Sequence, residues 1–347
     1  MPEPASDAVA VVVVAYRSAA HLPALLGELL AQLDGQDEIV VVDNGSYDAG
    51  AEVARATSAR VDVIEAGANL GFAGGCHRGA QATTAPLLLF VNPDATPLPG
   101  FMAELRGASA RHPDWGAWQA AVLTDSGLVN TSGGVIHYLG LGWAGDCGKP
   151  LEALPAQDRE VAFPSGAALM VRRSAWDQLG GLDRDYFMYG EDLDLGLRLW
   201  LAGHRVGVVP AARLEHSYEF HKGTQKWFFL ERNRWRTVLS VYPAPLLAAI
   251  APALLLAEAA LLLVAARGGW LGAKLRSQAA AIRGLPSTLA RRRSVQRTRR
   301  IGAAELASHL TASLDSDYLG AAQTPLLRIP QALYWRVVRA ALAIGSR

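Results

Sequence analysis

Cysteine is nearly absent from this 347-residue chain: Cys76 and Cys147 are the only two, and they form no CxxC pair. That excludes a disulfide framework and a cysteine zinc site, and it suits a reducing compartment. Near the N-terminus, the apolar run Val9–Val14 is too short to be the core of a signal peptide, so the body of the chain is expected inside the cell. Glycine is missing where a dinucleotide fold requires it. After the first apolar run the sequence reads Ala15-Tyr16-Arg17-Ser18, which argues against a dinucleotide oxidoreductase. Acidic residues are missing from Ala259 to Ala304, a stretch with ten Lys or Arg. Setting those ten aside leaves 23 basic against 32 acidic residues, so the rest of the chain carries about nine negative charges.

What is present is a large apolar fraction, 51%, enough for a sizeable core. Val9–Val14 is an unbroken apolar, mostly valine run, the pattern of a strand buried on both faces of a parallel sheet. Leu22, Leu25, Leu26, Leu29, Leu30 and Leu33 follow on one helical stripe. Further strands are expected at Ile39–Val42, Val61–Ile64, Leu87–Val91, Ser165–Val171 and His204–Val209. Helices are expected at Arg172–Leu179 and Glu191–Ala202, the latter with Asp194 and Arg198 paired at i,i+4. Residues 111–164 have a weak pattern and are expected to form shorter strands and loops that can shape an acceptor site. The order predicts an α/β fold, a mostly parallel sheet flanked by helices, with ligands at the carboxyl ends of its strands.

Composition changes after Pro245. Leu246–Ala266 is almost wholly apolar and nearly long enough to span a bilayer, but Pro252 and Glu258 interrupt it. Trp270, Lys274, Arg276, Arg283 and the Arg291–Arg300 cluster suit an anionic cytoplasmic leaflet. A catalytic domain over 1–242 and an apolar, basic helical region over 243–347 are therefore expected. The second lies in the membrane interface or, alternatively, packs as a buried hairpin helix. The arginine run has apolar neighbours rather than stacking aromatics, which disfavours nucleic acid.

Several residues have types and positions suited to chemistry. Asp43, directly after a strand, can accept a hydrogen bond from the imide N–H of a pyrimidine, or can simply cap a turn. The loop from Asn69 to Gly75 opens a helix with glycines that permit close approach of a ligand. Asn92-Pro93-Asp94 ends a strand and supplies one carboxylate for a hard cation, Mg²⁺ or Mn²⁺, which takes its other oxygens from phosphate and water. Glu191-Asp192 opens a helix, where acidic residues suit the dipole; as a functional pair, Asp192 is the general base and Glu191 its tuning neighbour. His216 can complete the metal shell. Arg198, His221, Lys222, Arg232 and Arg234 are candidates to meet phosphate or acceptor.

Each signal is weak alone, but the series VVVDNGS at 40–46, NLGFAGG at 69–75, LLLFVNPDA at 87–95 and GGLDRDYFMYGEDLDLGLRLWLAGH at 180–204 resembles family 2 inverting glycosyltransferases. Within that family it is most similar to bacterial rhamnosyltransferases of cell-envelope polysaccharide synthesis. The resemblance covers about residues 8–242 and implies a GT-A fold, a divalent metal and direct displacement with inversion. It implies that Asp43 binds the base with Tyr16 at the same end of the sheet. Asn69, Gly71, Phe72, Gly74, Gly75 and Asn92 would line the donor pocket, Asp94 and His216 hold the metal, and Asp192 act as base. Two positions depart from the family: His77 stands where Asn is usual, and Asn92 replaces the first Asp of a DxD motif. The implied reaction moves L-rhamnose from dTDP-rhamnose to a membrane-anchored glycan or polyprenyl-diphosphate acceptor at the cytoplasmic face. A UDP-sugar transferase and a catalytically silent membrane-associated scaffold are the alternatives.

Overall fold

The valine run forms β1 (Val9–Ala15), buried at every position. The computed structural model describes residues 7–216, 223–314 and 325–345, without the side chains of 325–327. After β1 come α1 (Leu22–Leu30), β2 (Glu38–Asp43), α2 (Gly50–Thr57), β3 (Val61–Glu65), α3 (Gly71–Gln81), β4 (Leu87–Val91), β5 (Ala95–Pro97) and α4 (Phe101–Arg111). The chain continues through β6 (Trp115–Leu123), β7 (Val129–Thr131), β8 (Gly134–Ile136), β9 (Gly142–Ala144), β10 (Arg159–Glu160), β11 (Ala168–Arg172), α5 (Arg173–Leu179), α6 (Glu191–Leu201) and β12 (Arg205–His216).

The main sheet runs β10-β12-β6-β11-β4-β1-β2-β3. Strands β4, β1, β2 and β3 are mutually parallel. β11 inserts antiparallel between β4 and β6, and β6 is again parallel to β12. The sheet is therefore mixed and mostly parallel, with helices packed on it. The leucine stripe of α1 buries Leu22, Leu25, Leu26 and Leu29 in the cluster that also holds Val9, Val11 and Val13 of β1. Burying each leucine fully contributes about 1.5–3 kcal/mol, so this face alone fixes α1.

Residues 111–164 contain more order than their composition suggests. β6 is a nine-residue strand buried throughout, despite the low strand preference of its Ala, Gly and Gln. Its pairing with β11 and β12, both distant in sequence, supplies what local propensity does not.

Two compact units result. The sheet and its helices make the first. The second takes Val135–Trp143, Trp200–Gly203 and the C-terminal helices: α7 (Gln225–Val241), α8 (Ala244–Arg267), α9 (Leu271–Arg283), α10 (Leu285–Arg297), α11 (Ala303–Ser308) and α12 (Pro325–Ile344). Contacts thus assign α7 to the second unit, whereas the shift in composition at residue 242 leaves it with the first. α8 is the one helix among the described residues that is long and apolar enough to cross a membrane. Its Glu258 turns inward: Arg234 of α7 binds it, Lys274 of α9 donates to Oε2 at 2.8 Å and Gln278 at 2.9 Å. Arg234 and Lys274 also bind Glu231 of α7, so two acids and two bases neutralise one another inside the bundle. Burial of that kind is tolerated only when every charge is paired.

Candidate active site

Three parallel strands of the first unit end side by side. β1 hands over to Tyr16, β2 ends in Asp43 and β4 in Val91, next to Asn92. This is the edge where α/β sheets place ligands. Asp43 is half-buried, and its Oδ1 accepts the Ser46 amide at 3.1 Å in the following turn. Tyr16 is 39% exposed beside it in sequence register.

Asn44, buried immediately after Asp43, organises the glycine loop. Its amide donates to the Gly71 carbonyl at 3.1 Å and its Oδ1 accepts the Leu70 amide at 3.0 Å. Asn69 Oδ1 accepts the Gly71 amide at 2.9 Å. That oxygen therefore shapes its own loop, a role the donor-pocket expectation did not include. Gly71 has φ +71°, and a Cβ there would lie 2.3 Å from the Phe187 carbonyl oxygen. A Cβ on Gly75 would lie 2.4 Å from Val14 of β1, and one on Gly74 2.7 Å from Leu70. Both are buried, and their hydrogens admit close helix–sheet and intraloop packing. Phe72 is half-buried with its ring against Gly166.

At the end of β4, Asn92, Asp94 and His216 converge. The antiparallel ladder of β5 with β12 sets His216 opposite Ala95. His216 Nε2 lies 3.0 Å from Asp94 Oδ1 and 3.2 Å from Asn92 Nδ2. Two cis ligands of an octahedral ion with bonds of about 2.1 Å stand about 3 Å apart, so the carboxylate and imidazole fit a divalent cation. Among the described residues no group of three or more His, Cys, Asp or Glu forms a metal cage. The set matches a cation that draws its remaining oxygens from a phosphate and water.

The carboxylate pair sits at the first turn of α6. The loop before it is strained: Phe187 and Tyr189 have φ of +63° and +68°, rare for residues with side chains. That loop is pinned from α6 itself. Asp194 Oδ1 accepts the Tyr186 hydroxyl at 2.9 Å and its Oδ2 accepts Arg198 Nε at 2.7 Å. The remaining Arg198 nitrogens donate to the carbonyls of Leu179 and Gly181 at 3.0 and 2.7 Å. The i,i+4 pair is as expected, but the expectation that Arg198 meets phosphate or acceptor is corrected. It is buried and its donors are committed to the protein.

Glu191 and Asp192 differ sharply. Glu191 is buried, and its Oε2 has no hydrogen-bond partner among the described residues. Burial, reinforced by the charges of Asp192 and Asp194, pushes its carboxyl up to about 8. It holds a proton at neutral pH. Asp192 is half-buried; its Oδ2 accepts the Gly166 amide at 3.0 Å and Oδ1 the Leu193 amide at 2.8 Å. Burial raises its affinity for protons and those amides lower it, with burial prevailing. The Gly166 loop is itself held by buried Gln119, whose Oε1 accepts the Ser165 amide at 2.6 Å. The Asn92 amide donates to Ala167 of the same loop at 3.2 Å. One loop thus joins the Asp192 side to the Asn92 side.

His221 and Lys222 lie outside the described residues. Arg232 lies on α7 in the second unit, over the rings of Phe228 and Phe229. Arg234, another phosphate candidate, is consumed by Glu231 and Glu258.

A profile described as glycosyltransferase like family 2 matches residues 4–240. The chain belongs to that family. An N-acetylglucosaminyl-diphospho-decaprenol L-rhamnosyltransferase of Mycobacterium tuberculosis is 33% identical over 234 residues, covering 61% of this chain and 76% of that one. Rhamnosyltransferase WbbL of Escherichia coli is 42% identical over 78 residues, 22% of this chain and 28% of its own. The fold is shared with GalNAc-T7, solved with UDP, GalNAc and Mn²⁺, at a TM-score of 0.57 and 15% identity over 70% of this chain and 50% of that one. The resemblance to a family 2 glycosyltransferase read from the sequence is thereby confirmed, as is the mostly parallel sheet. For this glycosyltransferase, motif reading passed over Asn44, Gln119, Gly166 and Tyr186. The first was visible in the DNGS turn; the others are positioned by contacts between distant segments and left no local signal.

Proposed function

We propose that this glycosyltransferase moves L-rhamnose from dTDP-rhamnose onto an acceptor sugar carried by a polyprenyl diphosphate, with inversion at the transferred carbon. The observation that carries the mechanism is the asymmetry of the carboxylate pair. Buried Glu191 keeps its proton, and half-buried Asp192 is held by two amides with its charge available. Asp192 takes the proton of the acceptor hydroxyl as that oxygen attacks the anomeric carbon and the bond to the nucleotide diphosphate breaks. Asp43 accepts the imide N–H of the base, with Tyr16 at the same strand ends. A divalent cation, Mg²⁺ or Mn²⁺, held by Asp94 and His216 together with the donor diphosphate, would neutralise charge on the leaving group. The choice of rhamnose and of a polyprenyl acceptor rests on the 33% identity to the mycobacterial enzyme of that name.

Asp192→Asn keeps the size of the side chain and can keep one of the two amide contacts, since its NH2 cannot accept the other, but it removes the base. Turnover should fall by about 10²–10⁴-fold, while the one amide left without an acceptor should cost only about 1–3 kcal/mol of stability, so that the protein stays folded. Product mass and anomeric configuration, read after incubation with dTDP-rhamnose, a divalent salt and a polyprenyl-diphosphate acceptor, test the whole reading. Full turnover by the variant removes Asp192 as base, and transfer from a UDP-sugar instead replaces the donor.

A further inference from the structure

The second unit carries a surface that the transfer reaction does not use. α12 is described by side chain from Arg328 onward, and its sequence has a regular pattern. Ile329, Leu333 and Val337 are 67%, 61% and 62% exposed, and Ile344 lies farther along the same stripe at 75%. The opposite face buries Trp335, Val338 and Leu342. Arg328, Arg336 and Arg339 are exposed alongside the apolar stripe, and no acidic residue occurs from Tyr318 to the end of the chain.

α12 lies against α8: the Tyr334 hydroxyl donates to the Ala249 carbonyl at 2.6 Å. α8 is likewise open, with Leu255 and Leu256 at 71% and 74% exposed and only 11% of its apolar window buried. It is nevertheless fastened by Glu258 to Arg234 and Lys274. A helix crossing the bilayer would draw those charges into hydrocarbon; a helix lying in its surface leaves them within the bundle.

We infer that α8 and α12 form a paired in-plane anchor that binds an anionic lipid surface, with apolar rows entering the acyl boundary and the α12 arginines meeting the headgroups. Charge complementarity commits the surface to lipid. An apolar stripe flanked by arginines and devoid of acids suits phosphorylated headgroups, and would repel a second copy of itself through like charge. The inference rests on the proposed membrane-borne acceptor, and deepens it by naming the surface and the lipid class.

The test is flotation of the full-length purified protein with vesicles of phosphatidylcholine alone or with phosphatidylglycerol, in parallel with nucleotide release in the presence of a short water-soluble acceptor. Wild type should float with the anionic vesicles. Leu333→Asp/Val337→Asp should lose that binding by tenfold or more, and Arg336→Gln/Arg339→Gln by about fivefold for each arginine. Nucleotide release should be unchanged in both. Wild type that stays at the bottom of the gradient overturns the anchor, as does undiminished flotation of the apolar double variant. Dimers dispersed by that variant, without vesicle binding, would assign the face to self-association and also overturn it. Flotation without sugar transfer would instead sink the proposed reaction and leave the anchor standing.

Discussion

Glu191 enters the folded state with a proton that the unfolded chain gives up near its ordinary value of 4.5 and the native protein holds to about 8. The linkage has a definite sign. Stability contributed by the neutral carboxyl is fully present below 4.5 and is lost progressively as pH rises through the folded value. Glu191→Gln keeps the buried shape without the titration. Its stability relative to wild type should therefore increase from about pH 4.5 to about 8 and level off above, read from urea midpoints across that range. A difference that is flat with pH would mean that Glu191 is ionised in the native protein. The same proton explains how two adjacent acids can sit at one helix start: protonated Glu191 sets no charge against its neighbour, and the neighbour has the amides.

At the scale of the element, α6 is fastened by charge and α3 by the absence of side chains. Arg198→Ala would strand Asp194, buried and still bonded to Tyr186, and should cost about 3–5 kcal/mol of unfolding free energy. The expected readout is a lowered urea midpoint, with donor KM near wild type in the protein that remains folded. A raised donor KM at unchanged stability would return Arg198 to the phosphate. Much of this was legible beforehand. The valine runs, the leucine stripe and the Asp194–Arg198 spacing carry local signals strong enough to give β1, α1 and α6 directly. Ligand approach and helix–sheet packing, by contrast, ask for the same residue, so the GFAGG spacing does not separate Gly71, which accommodates Phe187, from Gly75, which accommodates Val14. β6 was hidden for a different reason. Its Gly, Ala and Gln residues are held as a strand by β11 and β12, and no window of neighbouring residues contains that information.

Across the whole molecule, acid and base are segregated: ten cations and no acid from Ala259 to Ala304, against an excess of acid elsewhere. Arg291 and Arg292 are already spent on Ser240 and on the carbonyls of Leu239 and Tyr242 at the end of α7, whereas Arg293, Arg297 and Arg299 are exposed. Attraction to an anionic surface should then be partly electrostatic. Raising salt from about 0.05 to about 0.5 M shortens the screening length severalfold, and should weaken flotation without abolishing it, since the apolar rows are insensitive to screening. Complete release by salt would mean that the leucines of α8 and α12 stay out of the lipid. Finally, the scarcity of cysteine gives the molecule a built-in clock. Cys147 is exposed, while Cys76 lies buried in the glycine helix, with burial and the nearby Glu191 pushing its thiol up. A thiol reagent should take the first at once and the second only when α3 opens and uncovers it. The slow phase of labelling therefore times the opening of α3, and a nucleotide-sugar bound at the proposed donor site should lengthen it.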